Sequence, residues 1–127
     1  MKSIKSKAAE RLIVDVEMNG NKYPMLVDTG ATLSLISERV KGLLFDKRRK
    51  YMEMQGIGGK IYGKRVVTTG LMGGRIVNQF LSTDISNIRE SIEEETGIRI
   101  DGIIGLPQLK FAGAVIDTAN NEILVPD

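Results

Sequence analysis

Leu26-Val27-Asp28-Thr29-Gly30-Ala31-Thr32 is the stretch that decides the fold. An apolar run delivers a carboxylate directly into a turn made of threonine and glycine. Gly30 has no Cβ, so backbone N–H groups can approach the Asp28 carboxylate closely. The Thr29 hydroxyl can donate or accept a hydrogen bond and lock the turn. Val27 and Leu33 flank the acid and are expected to keep it partly dry. Taken alone, the triplet also fits an ordinary Asp-Gly turn at the end of a strand.

Upstream, Leu12, Val14, Val16 and Met18 share one parity, with Ile13, Asp15 and Glu17 between them. This alternation predicts a half-buried strand over Arg11–Met18. Asn19-Gly20 is a type I′ hairpin signal, and Lys22–Val27 returns from it, with Pro24 best placed near a sheet edge. Downstream, Leu33–Ile36 reads as a strand, and Ser37 as the cap of a short helix over Glu38–Leu43. Tyr51–Gln55, Lys60–Thr69 and Arg75–Ser82 read as further strands, separated by Gly56-Ile57-Gly58-Gly59 and Gly73-Gly74. Then the period changes. Ile85, Ile88 and Ile92 mark an amphipathic helix at 85–96, capped by Asp84 or Ser86 and stopped by Gly97. Pro107 opens a short helix through Lys110, and Gly113–Asp117 and Glu122–Val125 close the chain as strands.

The chain has 127 residues, the size of one domain. It contains no cysteine and no histidine. Disulfides, thiolate or imidazole metal sites, cysteine nucleophiles and histidine bases are therefore excluded together. Any catalysis must use carboxylates, hydroxyls, lysines or backbone groups. Eighteen basic residues against 16 acidic ones give +2, too little charge to argue for nucleic acid. The apolar runs fall short of a membrane span. Met1–Arg11 is basic but leads into no apolar signal-peptide region, so the expected location is the cytoplasm. Residues 1–9 read as a flexible N-terminal segment and 10–127 as a single domain. Only 5% of residues are aromatic, so the core must be aliphatic.

Asp28-Thr29-Gly30-Ala31-Thr32 resembles the catalytic loop of retropepsin-like aspartic peptidases. Ile103-Ile104-Gly105, preceded by Asp101-Gly102 and followed by Leu106, resembles the segment that packs beneath that loop and leads into a short helix. Gly56-Ile57-Gly58-Gly59 lies between them, where the family places a glycine-rich flap. The ordered set is far more specific than the triplet. It implies a mainly β protein, a small closed barrel or sandwich of the acid protease type with one or two short helices. It further implies an aspartic endopeptidase with Asp28 as the catalytic residue and Thr29, Gly30, Ala31 and Thr32 as its loop. Gly56, Ile57, Gly58 and Gly59 would close over the substrate, and Ile103, Ile104 and Gly105 would support the site. No metal or organic cofactor is implied. The chain has one Asp-Thr-Gly triplet, half of the family's carboxylate pair, so the resemblance calls for a homodimer acting on a peptide or protein. Neither nucleic acid nor membrane is an expected partner. The alternative is a non-catalytic peptide-binding or dimerisation module on the same fold. The helix at 85–96 is extra relative to compact family members, and no aromatic is assured at the flap tip, Tyr62 being the nearest.

Other features have simpler readings. Asp101 fits a turn before a buried strand better than a second catalytic acid. Gly58 with Gly63-Lys64 nearly forms a phosphate-binding loop but has Arg65 where a hydroxyl is needed, followed by β-branched residues. Lys47-Arg48-Arg49-Lys50 reads as a solvated loop. No spacing pairs Ser34 or Ser37 with a lysine, and Glu93-Glu94-Glu95 reads as an exposed helix end.

Overall fold

The computed structural model describes residues 1–48, 52–56 and 59–127. Its strands in the first half are β1 (Lys2–Lys5), β2 (Ile13–Met18), β3 (Asn21–Asp28), β4 (Ser34–Ser37), β5 (Met52–Gly56) and β6 (Gly59–Arg65). They are followed by β7 (Gly70–Met72), β8 (Arg75–Val77), β9 (Phe80–Thr83) and helix α1 (Ser86–Thr96). The chain finishes with β10 (Gly102–Gly105), helix α2 (Leu106–Ala112), β11 (Val115–Asp117) and β12 (Glu122–Val125). The protein is mainly β with two helices, as the sequence predicts.

Asn19 and Gly20 both take positive φ, 51° and 76°, which is what a type I′ turn requires. The turn sets β2 antiparallel to β3 with Ile13 opposite Leu26 and Met18 opposite Asn21. On its other side β3 pairs in parallel with β10, from Met25–Gly102 to Asp28–Gly105. A nine-stranded sheet results, in the order β5-β6-β9-β4-β10-β3-β2-β7-β8. Pro24 thus sits in an interior strand, not near an edge. It is tolerated because β10 begins only at the next rung, and the Pro24 carbonyl accepts the Asp101 N–H at 2.7 Å.

Alternation divides the central strands between two apolar layers. Ile13, Leu26, Leu35, Leu81 and Ile103 pack with Ile85 and Ile92 of the α1 region. Val14, Met25, Ile36, Phe80 and Ile104 pack on the opposite side with Leu109 and Ala112 of α2 and with Ile123 and Val125 of β12. The start of β2, expected to be half-buried, is therefore buried on both faces: Ile13 and Val14 are both inaccessible. Within α1 itself only Ile92 is buried, and Ile88 is exposed. Gly97 ends the helix at φ 77° as expected.

Several boundaries differ from the sequence reading. Residues 38–43 form turns rather than a helix: Val40 N–H bonds Ser37 O at 3.1 Å, and Gly42 lies at φ 80°. Arg75–Ser82 is two strands, because Gln79 adopts φ 65° and breaks the run. Lys60–Thr69 is a strand only to Arg65, after which Val66 makes an isolated bridge to Phe45. Residues 1–9, read as a flexible segment, contain β1, which pairs along β12 from Lys2–Val125 to Lys5–Glu122. Ser6 then pins the following turn, its hydroxyl accepting from Ile13 N–H at 2.9 Å and donating to Arg11 O at 2.7 Å. Among the described residues no helix is long and apolar enough to cross a membrane.

Candidate active site

Asp28 is the last residue of β3 and lies half-buried at the mouth of the sheet. Its parity with Leu26 puts it on the same face as α1. Val27 has the other parity and packs into the α2 layer, so it does not dry the acid as expected; Leu33 and Ala31 lie on the Asp28 side. The loop turns tightly after the strand. Gly30 N–H donates to Asp28 Oδ1 at 3.0 Å, and Ala31 N–H to Asp28 O at 3.1 Å. A Cβ on Gly30 would stand 3.3 Å from that same Oδ1. Thr29, Gly30 and Thr32 are exposed and Ala31 is half-buried.

Beneath the loop, Gly105 pairs with Asp28 in the ladder. Leu106 N–H donates to Ala31 O at 2.9 Å, which fastens the loop to the start of α2. A Cβ on Gly105 would come within 2.6 Å of Leu33 O and 2.9 Å of Ala31 O, so only glycine permits this approach. Ile103 and Ile104 flank the contact, one in each apolar layer. The sequence-predicted loop and support segments are thus brought together.

Three side chains join the site that the sequence reading did not single out. Ser34 and Gln108 are buried, and the Ser34 hydroxyl accepts from Gly105 N–H at 2.9 Å while donating to Gln108 Oε1 at 2.5 Å. This satisfies a buried N–H directly behind Asp28. Arg11 is the third. Leu12 O accepts Val27 N–H at 2.9 Å, so the β2–β3 register extends outward and sets Arg11 opposite Asp28. Its Nε lies 2.9 Å from Glu95 Oε1 at the end of α1. The Glu95 hydrogen bond and charge raise the Arg11 pKa above its ordinary value, with Asp28 adding to the same effect. A sequence signal for Arg11 exists. Rungs across the Asn19-Gly20 turn pair residues whose numbers have a constant sum, and Asp28 then falls opposite Arg11.

Gly56 and Gly59 face each other at the end of the β5–β6 hairpin, where the flap was expected. Ile57 and Gly58 of that flap lie outside the described residues, as do Arg49, Lys50 and Tyr51. Tyr62 is exposed on β6. Gly63 and Lys64 belong to β6 and no helix follows them, unlike a phosphate-binding loop. Asp101 lies just beyond the far end of β10, about 13 Å from the Asp28 rung by strand rise, and is not part of the site. Burial pushes its carboxyl up, and the charge of Arg89 opposes this. Glu93 pairs with Arg99 at 2.8 Å and Glu95 with Arg11, so two of the three glutamates at the helix end are ion-paired, and Glu94 is exposed.

The site is thus a strand-borne aspartate held by a glycine N–H, paired with a glycine of a parallel strand. Comparison with curated proteins returns no match. The family model described as aspartyl protease matches residues 14–107, which span β2 to the start of α2 and include the whole loop and its support. The chain belongs to this aspartyl protease family, of the retropepsin-like clan, and so to a group of peptidase-type hydrolases.

Proposed function

We propose that the chain is an aspartic endopeptidase that works as a homodimer, each copy supplying one Asp28. The observation that carries this reading is the orientation of Asp28. It stands at the end of β3 with one oxygen held by Gly30 N–H, half exposed on a loop that Leu106 N–H fastens through Ala31 O and that Gly105 lets approach closely. Exposed Thr29 beside it has no side-chain hydrogen bond among the described residues, in keeping with a partner across a two-fold axis. A single triplet supplies one carboxylate per chain, and an isologous contact at this loop would bring two together.

Two carboxylates a hydrogen bond apart do not both ionise; they share one proton. The ionised member takes a proton from a water held between them, and the water oxygen attacks the peptide carbonyl carbon. The protonated member gives its proton to the carbonyl oxygen. Collapse of the tetrahedral species then breaks the C–N bond as the amine nitrogen is protonated by the pair. The described end of the hairpin, Gly56 and Gly59, would pair with the bound peptide through main-chain hydrogen bonds.

Asp28→Asn tests the reading. It removes the ionisable group while keeping an acceptor for Gly30 N–H. Peptide cleavage should fall by roughly 10²–10⁴-fold or more with the fold retained by circular dichroism. Specific activity should also drop on dilution below the dimerisation constant. Cleavage retained in Asp28→Asn, or a concentration-independent activity of a proven monomer, rejects the proposal.

A further inference from the structure

A cavity of about 360 Å³ opens between the flap strand β6 and the start of α1. Leu35, Ile61 and Ile85 give it apolar walls, Gly59 lines it with bare backbone, and Asp84 stands at it with a carboxylate. Leu35 shares the sheet face of Asp28. It lies two strands over, and its partner Ile103 is two rungs back from Gly105. Ladder spacings then separate Leu35 from Asp28 by about 12 Å. An extended peptide advances about 3.4 Å per residue. A residue about three positions from the scissile bond would therefore place its side chain here.

The cavity is two-sided in character. Its apolar walls suit a stem of methylenes, but its rim carries a fixed charge. The Ser86 N–H bonds Asp84 Oδ1 at 2.9 Å, and the Ser86 hydroxyl bonds the same oxygen. No hydrogen bond engages Asp84 Oδ2 among the described residues. Those Ser86 bonds hold the carboxyl below its ordinary range, helped by the charge of Arg39, so the group stays anionic into mild acid. Among the described residues Lys60 is the one cation lining the cavity, and it is engaged by Glu53 across the hairpin at 2.8 Å.

We propose that this cavity is a subsite for a lysine or arginine side chain of the peptide substrate, its methylenes on Leu35, Ile61 and Ile85 and its cationic head on Asp84. The assignment rests on the peptidase reading of Asp28. A long basic side chain buries its stem on apolar surface while its charge stays at the rim. A charge-assisted hydrogen bond to a pre-oriented carboxylate supplies the discrimination. The substrates singled out are thus peptides with a basic residue a few positions from the cleaved bond.

The test is a peptide series in which each position near the cleaved bond is varied in turn among lysine, arginine, norleucine and glutamate. At one position the chain should show a kcat/KM about tenfold higher for lysine or arginine than for norleucine, a step of one charge-assisted bond. In Asp84→Asn, which keeps the Oδ1 acceptor for Ser86, that ratio should fall to about one. In Asp84→Lys it should turn toward glutamate. No basic preference at any position, or one that survives both variants, overturns the proposal. If no peptide is cut, the peptidase reading fails and the cavity is judged separately. The same peptides are then titrated against the Asp28→Asn chain by fluorescence anisotropy. A lysine preference in binding that Asp84→Asn abolishes upholds the subsite, and equal binding of all four peptides rejects it.

Discussion

Gly105 shows how much of the site rests on one missing methyl group. Its backbone passes beneath the Asp28 loop so closely that a Cβ would meet two carbonyl oxygens, Leu33 O at 2.6 Å and Ala31 O at 2.9 Å. Neither is the end of a flexible side chain, so the backbone itself must move. Gly105→Ala is expected to cost about 1–3 kcal/mol in denaturant unfolding, typical of forced overpacking. Its effect on any peptide cleavage should exceed what that loss of stability explains, since the moved atoms belong to the loop that aims Asp28. Ser34 and Gln108 lie in the same place and were not legible as site residues. A buried serine in an apolar strand reads as a tolerated polar residue until the N–H of Gly105, distant in sequence, is found pointing at it.

The elements were legible where the local pattern and the tertiary environment agree. The β2–β3 hairpin, the glycine stop of α1 and the Pro107 helix start all carry their own chemistry. The misreadings are of another kind. Residues 38–43 have helical spacing but too little apolar surface to be held as a helix, and Gly42 at φ 80° breaks the geometry. The division of Arg75–Ser82 hangs on one non-glycine residue in the left-handed region, Gln79, which no propensity announces. Helix α1 was predicted, but not what it covers. Its Ile92 completes the layer formed by Ile13, Leu26, Leu35 and Ile103 on the Asp28 face. Ile92→Ala should therefore cost about 2–5 kcal/mol by chemical denaturation. Ile88→Ala, at an exposed position on the same helix, should cost far less. Equal costs for the two would contradict the packing described.

For the whole molecule, acid and base act on stability through different carboxylates. Asp46, Asp84 and Asp117 are held below their ordinary pKa, chiefly by hydrogen bonds from Arg48, Ser86 and Asn120 respectively. Their contribution is present above the unfolded carboxylate pKa and is lost as pH falls from there through the lowered folded values. Asp101 has the opposite sign. Burial raises its pKa, so the folded state binds its proton more tightly than the unfolded chain, and stability declines as pH rises through that window. Asp101→Asn removes this burden only where the group would be ionised. The melting temperature of the variant relative to the parent should thus be more favourable at pH 7 than at pH 3. A pH-independent difference would mean that Arg89 fully offsets the burial.

The two-residue turn at Asn19-Gly20 sits at the far end of its hairpin from Asp28, yet it decides what stands beside the acid. One residue added there, if not absorbed as a bulge, would roll β2 over and drive Asp15 and Glu17 toward positions now filled by Val14 and Val16. Those two charges act as sentries against such slippage, and the neighbour they guard is Arg11. Remote edits to this hairpin would look like harmless loop engineering and yet strip the acid of its cationic companion.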